Sequence, residues 1–229
     1  MIGGGEEDDL DEAPHGGRAV LARVIDGLIE RHGHGDRAAD VARARRAFED
    51  RRGRVTEDAE LWEPWTQAFL EWYVLEYVPP GADVPLAAGD LASEPDPRRA
   101  AAVRAWLTSH RSLVEIKALR DGRAWVVDVL AGGAFAVAEQ RRMHGVSAGD
   151  LAEVRLIGFE GDVYFGRTFC YHPGAAKDAI HRRAEAIYAQ GGDRLSVLDA
   201  CAAARLRSEH YRHVDPARLY ARARGATES

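Results

Sequence analysis

A chain of 229 residues, 46% hydrophobic and 30% charged, is long enough to bury a real core and has the composition of a globular protein, which excludes fibrous and wholly disordered classes. Cys170 and Cys201 are the only cysteines, too few for a disulfide framework or a thiolate zinc cage, so the expected location is the reducing cytoplasm. With no apolar run near the roughly 20 residues a membrane helix needs, no signal-peptide pattern and a net charge of -6, neither membrane insertion nor default nonspecific nucleic-acid binding is expected.

Residues 1–17 hold Gly3-Gly4-Gly5 and then Glu6, Glu7, Asp8, Asp9, Asp11 and Glu12, which reads as a disordered acidic tail. From Arg18 to His32, Val20, Leu21, Val24, Ile25, Leu28 and Ile29 recur at helical spacing up to a stop at Gly33. Asp36 to Arg52 is a second, more exposed helix with Asp36 as its cap and Val41, Ala44 and Phe48 as a thin apolar face. The densest apolar stretch, Glu57 to Val78, carries Trp62, Trp65, Phe69, Trp72 and Tyr73 in a helical run halted by Pro79-Pro80-Gly81, and its aromatic stripe reads as packing. A loop then runs to Pro97, and Arg98 to Ser109 makes a short helix.

The texture changes at residue 111. Leu113–Leu119, Ala124–Leu130, Ala134–Glu139, Leu151–Phe159 and Val163–Tyr171 are short β-type segments divided by Asp121-Gly122, Gly132-Gly133, Gly149-Asp150 and Glu160-Gly161. Five such strands predict a small antiparallel sheet or barrel, with Leu113, Ile116, Trp125, Val127, Val129, Phe135, Val137, Val154, Leu156, Phe165 and Phe169 facing inward. Helices follow from Ala175 to Gln190, from a cap at Asp193 to His210, and from Pro216. The fold class is therefore α+β: a small five-stranded antiparallel β-sheet or barrel at 111–173, flanked by an N-terminal helical segment at 18–110 and C-terminal helices at 174–229.

The blocks Phe69-Leu70-Glu71-Trp72-Tyr73, Ser112-Leu113-Val114-Glu115-Ile116, Asp128-Val129-Leu130-Ala131-Gly132, Val137-Ala138-Glu139, Gly149-Asp150, Arg155-Leu156-Ile157 and Phe169-Cys170-Tyr171-His172-Pro173 together resemble a family of uncharacterised bacterial proteins frequent in myxobacteria and their relatives. The middle segment is also similar to one preceding a SecA-type C-terminal zinc motif in other bacterial proteins. That cysteine-rich motif does not occur here, so the resemblance implies an architecture and no zinc site or catalytic residue.

Among chemistry-bearing residues, Cys170 and His172 share one face of a strand at i and i+2, the arrangement a histidine-activated thiol would need, although nothing nearby orients the imidazole. His210 and His213 have the i, i+3 spacing of two metal ligands, with His181 or Glu185 as a conceivable third. His32 and His34 read as helix-end residues, and Asp128, Glu139, Asp150 and Glu153 match no acid-base or magnesium motif. No P-loop, dinucleotide fingerprint or metalloprotease helix occurs, and no cofactor is implied.

A binding set can be drawn from Arg155, Arg167, Tyr164 and Tyr171, with Arg141, Arg142 and Phe165, because small barrels stack bases on aromatics while arginines hold phosphate. Arg205, Arg207, Arg212, Arg218, Arg222 and Arg224 form the most basic region, suited to an acidic partner or to the acidic tail. The leading expectation is a non-enzymatic protein-interaction or regulatory module whose partner is another protein or a second copy. The alternatives are a nucleic-acid-binding protein using the β-unit, and a thiol- or metal-dependent hydrolase.

Overall fold

A computed structural model describes residues 16–139 and 146–221. Five helices come first: α1 (Gly17–His32), α2 (Ala38–Arg52), α3 (Trp62–Leu75), α4 (Leu86–Leu91) and α5 (Pro97–Leu107). Five strands follow, β1 (His110–Arg120), β2 (Arg123–Asp128), β3 (Ala134–Ala138), β4 (Leu151–Phe159) and β5 (Asp162–His172), and then α6 (Lys177–Ala189), α7 (Arg194–His210) and α8 (Pro216–Ala221). The chain is a mixed α+β protein with one five-stranded sheet, and none of the described helices is long and apolar enough to cross a membrane.

Helix starts follow local chemistry. Asp193 caps α7 by accepting from the Ser196 amide, and Asp96 caps α5 by accepting from the amides of Arg98 and Arg99, with Pro97 in the first turn. Asp36 does not cap α2: it lies in a short 3-10 turn at 35–37, and Arg37 precedes the helix. The stretch expected as loop before Pro97 contains α4, which forms because Leu86 and Ala87 find burial against α3 and α5.

Strand order around the sheet is β1-β2-β3-β5-β4, and β4 pairs back onto β1, so the pairing closes on itself. The sheet is mixed, where alternation and hairpin turns had suggested antiparallel pairing throughout. β3 and β5 run parallel through a single pair, Val137 with Val163, because β4 and β5 form a hairpin that returns β5 to the far side of β3.

Val114, Ile116, Val126, Val137, Val154, Leu156 and Phe165 fill the interior of the ring. The inward phase of β2 is Ala124, Val126 and Asp128, the reverse of the expected Trp125, Val127 and Val129. Asp128 tolerates burial because its carboxylate accepts from Ser112 Oγ at 2.9 Å, the amides of Leu130 and Ala131, and His110 Nε2 at 2.6 Å. Leu113 is buried as expected, but beneath α6 and α7 on the outside of the ring.

The helices cover only part of the ring. α1 to α5 share a core with Ile157 and Phe159 of β4 and Cys170 of β5, while α6, α7 and α8 close over Leu113 and Leu151. A chain of buried charges pins the covered side. Asp199 of α7 meets Arg52 of α2, Arg52 meets Glu153 of β4 at 2.6 Å, and Glu153 also meets Arg111 of β1. Arg111 continues to Glu76, Glu76 to Arg155, and Arg155 to Glu71, which accepts from the amides of Arg167 and Thr168 and from the Thr168 hydroxyl. Buried charges persist only when paired and hydrogen-bonded, and the alternation of sign along this chain supplies both. The extensive packing of β2 and β3 is with other strands alone.

Candidate binding surface on the uncovered strands

The uncovered part of the ring presents the outward phase of β2 and β3 together with the end of β1 from Lys117 onward. β1 and β2 are joined by Asp121-Gly122, both at positive φ (55° and 66°), the backbone of a tight hairpin turn that matches strand twist. This register sets Arg120 opposite Arg123 and Ala118 opposite Trp125, while Trp125 faces Ala136 and Arg123 faces Ala138 on β3. Ala134, Ala136 and Ala138 make a low apolar floor beside Trp125, whose ring stays 40% exposed. Exposed tryptophan is uncommon on a surface with no partner, because burying such a ring is worth on the order of 2 kcal/mol.

Arg120 places its guanidinium 5.4 Å from the Trp125 ring centroid. It has no ion-pair partner among the described residues, whereas its cationic neighbours are engaged: Lys117 with Glu115 at 2.6 Å, and Arg123 with Asp162 at 2.9 Å. The face therefore combines one exposed indole, one uncompensated guanidinium and an alanine floor, inside a rim of neutralised pairs. Such a surface suits an apolar side chain with a carboxylate beside it.

At the end of β3 the face meets the start of α1. Arg18 donates to the Ala138 carbonyl at 3.0 Å and pairs with Glu139, and it lies 6.0 Å from the Tyr164 ring. Gly17 lets that tyrosine approach: a Cβ there would sit 2.7 Å from Tyr164 Oη. A cleft of about 290 Å³ follows, lined by α1, Trp106, Tyr164 and Arg167.

The residues singled out from the sequence fall in different places. Tyr164 and Arg167 share this cleft, with Arg167 paired to Asp26 at 2.5 Å. Arg155 is turned into the protein, 3% exposed, in the buried charge chain. Tyr171 is exposed beside a second cleft of about 410 Å³ near the end of α7, remote in the strand from Tyr164. Arg141, Arg142, Arg222 and Arg224 lie outside the described residues. Arg205 and Arg212 of the basic C-terminal region are both paired with Glu209.

Cys170 and His172 are both buried. Burial, with the Glu153 charge adding to it, pushes the Cys170 thiol up to about 12. His172 is pushed down to about 4 by burial, against the opposing pull of Glu153, and its Nδ1 pairs with the Tyr220 hydroxyl at 2.8 Å. A protonated thiol and an imidazole committed to a tyrosine are poor starting material for nucleophilic catalysis. His210 and His213 do not share a helical face, because α7 ends at His210, whose Nδ1 bonds the Leu206 carbonyl. Among the described residues no group of three or more histidine, cysteine or acidic side chains is arranged to hold a metal ion.

Sequence reading missed this surface because it placed Trp125 inside the ring. One signal was present: Asp128 lies three residues after Trp125, hence in the opposite phase, and is followed by a turn whose amides a buried carboxylate could accept. No family model matches the chain, and no curated protein or solved structure shows a significant match to it.

Proposed function

We propose that the protein is a non-enzymatic interaction module that receives a segment of another protein on the outward face of β2 and β3. The observation that carries this reading is the pairing of exposed Trp125 with Arg120 beside β2 and β3, strands that no helix packs against extensively. Tryptophan and arginine are the side chains that most often dominate a protein interface when desolvated together, and a rim of satisfied ion pairs excludes water without demanding phosphate. The partner supplies an apolar side chain for the indole and a carboxylate for Arg120. Nucleic acid is the weaker occupant, since Arg18, Arg123 and Arg167 already face carboxylates that phosphate would have to displace.

The test puts a photo-crosslinking residue at Val127 and irradiates the cells that make the protein. A stoichiometric protein adduct that disappears with Trp125→Ala or Arg120→Ala supports the reading. Recovery of nucleic acid in its place, or an adduct indifferent to both substitutions, overturns it.

A further inference from the structure

Of the 31 lysines and arginines in the chain only Lys117 and Lys177 are lysine, and both end on the same carboxylate. Lys117 Nζ lies 2.6 Å from Glu115 Oε1, and Lys177 Nζ lies 2.5 Å from Glu115 Oε2. Lys117 occupies the bulge where the register of β1 against β2 shifts, just beyond Glu115 on the same strand, and Lys177 is the first residue of α6. Two separate elements thus send every lysine of the chain to one point. That point is at the margin of the bare strands, since Glu115 stands opposite Val127 of β2.

Ammonium groups are what this arrangement requires. A guanidinium engages both oxygens of a carboxylate as a fork, whereas an ammonium is a point charge that takes one oxygen and leaves the other. The Glu115 side chain is only 14% exposed, and hydrogen bonds from Lys117 and then Lys177 hold its carboxyl below the usual carboxylate range. One cation is enough to balance it. The second is surplus, and at Lys177 it also stands in the first turn of α6, the end of a helix that disfavours positive charge.

We propose that Lys177 is an acyl-acceptor site, modified by a small acyl thioester while Lys117 remains as the counter-ion of Glu115. The Lys177 ammonium releases one proton to water, and the neutral Nζ attacks the thioester carbonyl. The C–N bond forms, the C–S bond breaks, and the departing thiolate takes the second proton lost by the nitrogen. The Lys177 side chain is 41% exposed, so the donor reaches it without unfolding. Acylation removes the charge that the helix disfavours and leaves Glu115 paired. Acylation of both lysines would leave the carboxylate without a counter-ion, so a second modification of the same molecule is resisted.

The experiment incubates the full chain with acetyl-coenzyme A in mildly alkaline buffer and follows each amine by intact mass and peptide mapping. Lys177 is expected to be acetylated about threefold faster than Lys117, with doubly acetylated molecules rarer than the two single rates imply. Lys117→Gln makes Lys177 the sole counter-ion and slows its acetylation about threefold, whereas Lys117→Arg, which keeps the cation, does not. The Lys117 side chain is 47% exposed, so neither substitution disturbs the core. Protein isolated from the cells that make it is expected to carry an acyl mass on Lys177.

Lys117 reacting first or at the same rate overturns the proposal, as does a Lys177 rate indifferent to Lys117→Gln. Cellular protein in which Lys177 is unmodified overturns it as well, whatever the order of reaction with the purified chain.

Discussion

Arg52 of α2 and Glu153 of β4 meet at 2.6 Å in the middle of the molecule, with 1% and 0% of their side chains exposed. Glu153 also takes Arg111 at 3.0 Å, so one carboxylate stands between two guanidiniums donated by different layers. Burial alone would raise this carboxyl, but the two arginines hold it down at about 2.

Glu153→Gln leaves both guanidiniums short of a counter-charge and is expected to cost about 3–5 kcal/mol, read as a fall in the urea midpoint with little change in slope. A single variant with wild-type stability contradicts a central role for this network.

His172 gives the stability a defined pH window. Its folded value, about 4, lies below its ordinary 6.5, so between these values the unfolded chain binds a proton that the folded chain refuses. Its contribution is complete above pH 6.5 and is lost as pH falls to about 4, at up to about 1.4 kcal/mol per unit. The Glu153 contribution is complete above 4.5 and drains away toward 2. Denaturant titrations of His172→Gln are expected to be flatter between pH 6.5 and 4 and unchanged in slope below that window; a parallel curve refutes the assignment.

Both thiols are pushed up to about 12, chiefly by burial and next by the Glu153 charge. In native buffer at pH 8, neither Cys170 nor Cys201 is expected to react with iodoacetamide over hours, and both react in denaturant. Rapid native alkylation of Cys170 would revive the thiol chemistry that its position with His172 suggested.

Gly53 ends α2 at φ +97°, and a Cβ there would lie 2.6 Å from Leu206 Cδ1 of α7. Gly53→Ala is expected to cost about 1–3 kcal/mol by forcing an unfavourable backbone and displacing Leu206. Thermal denaturation checks it, with Gly89→Ala, which meets nothing within 4 Å, as the comparison.

Trp125→Ala removes a ring that is already substantially solvated and stacked mainly by Arg120, and is expected to change stability by less than about 1 kcal/mol. A larger loss would mark Trp125 as part of the core and empty the bare face of its anchor.

Helix periodicity made every helix but α4 readable, and turn residues made all five strands readable to within three residues at either end. What escaped was phase and partnership. Trp125 reads as inward because aromatics usually are, yet Asp128, three residues on and so in the opposite phase, holds the inward position through four donors supplied by residues distant or just beyond it. Arg155 looked like a phosphate ligand because one strand cannot reveal that Glu71 and Glu76, some eighty residues earlier, lie across from it. Arg155→Ala therefore reports on folding.

The parallel seam between β3 and β5 rests on one backbone pair, whereas every other junction in the ring runs for five or more. Breathing of the ring is expected to begin there, with hydrogen exchange at the β3 amides faster than at those of β4, which is flanked on both sides by long ladders. β3, which supplies the alanine floor beside Trp125, is thus the least securely laddered strand of the sheet, held on one side by β2 alone.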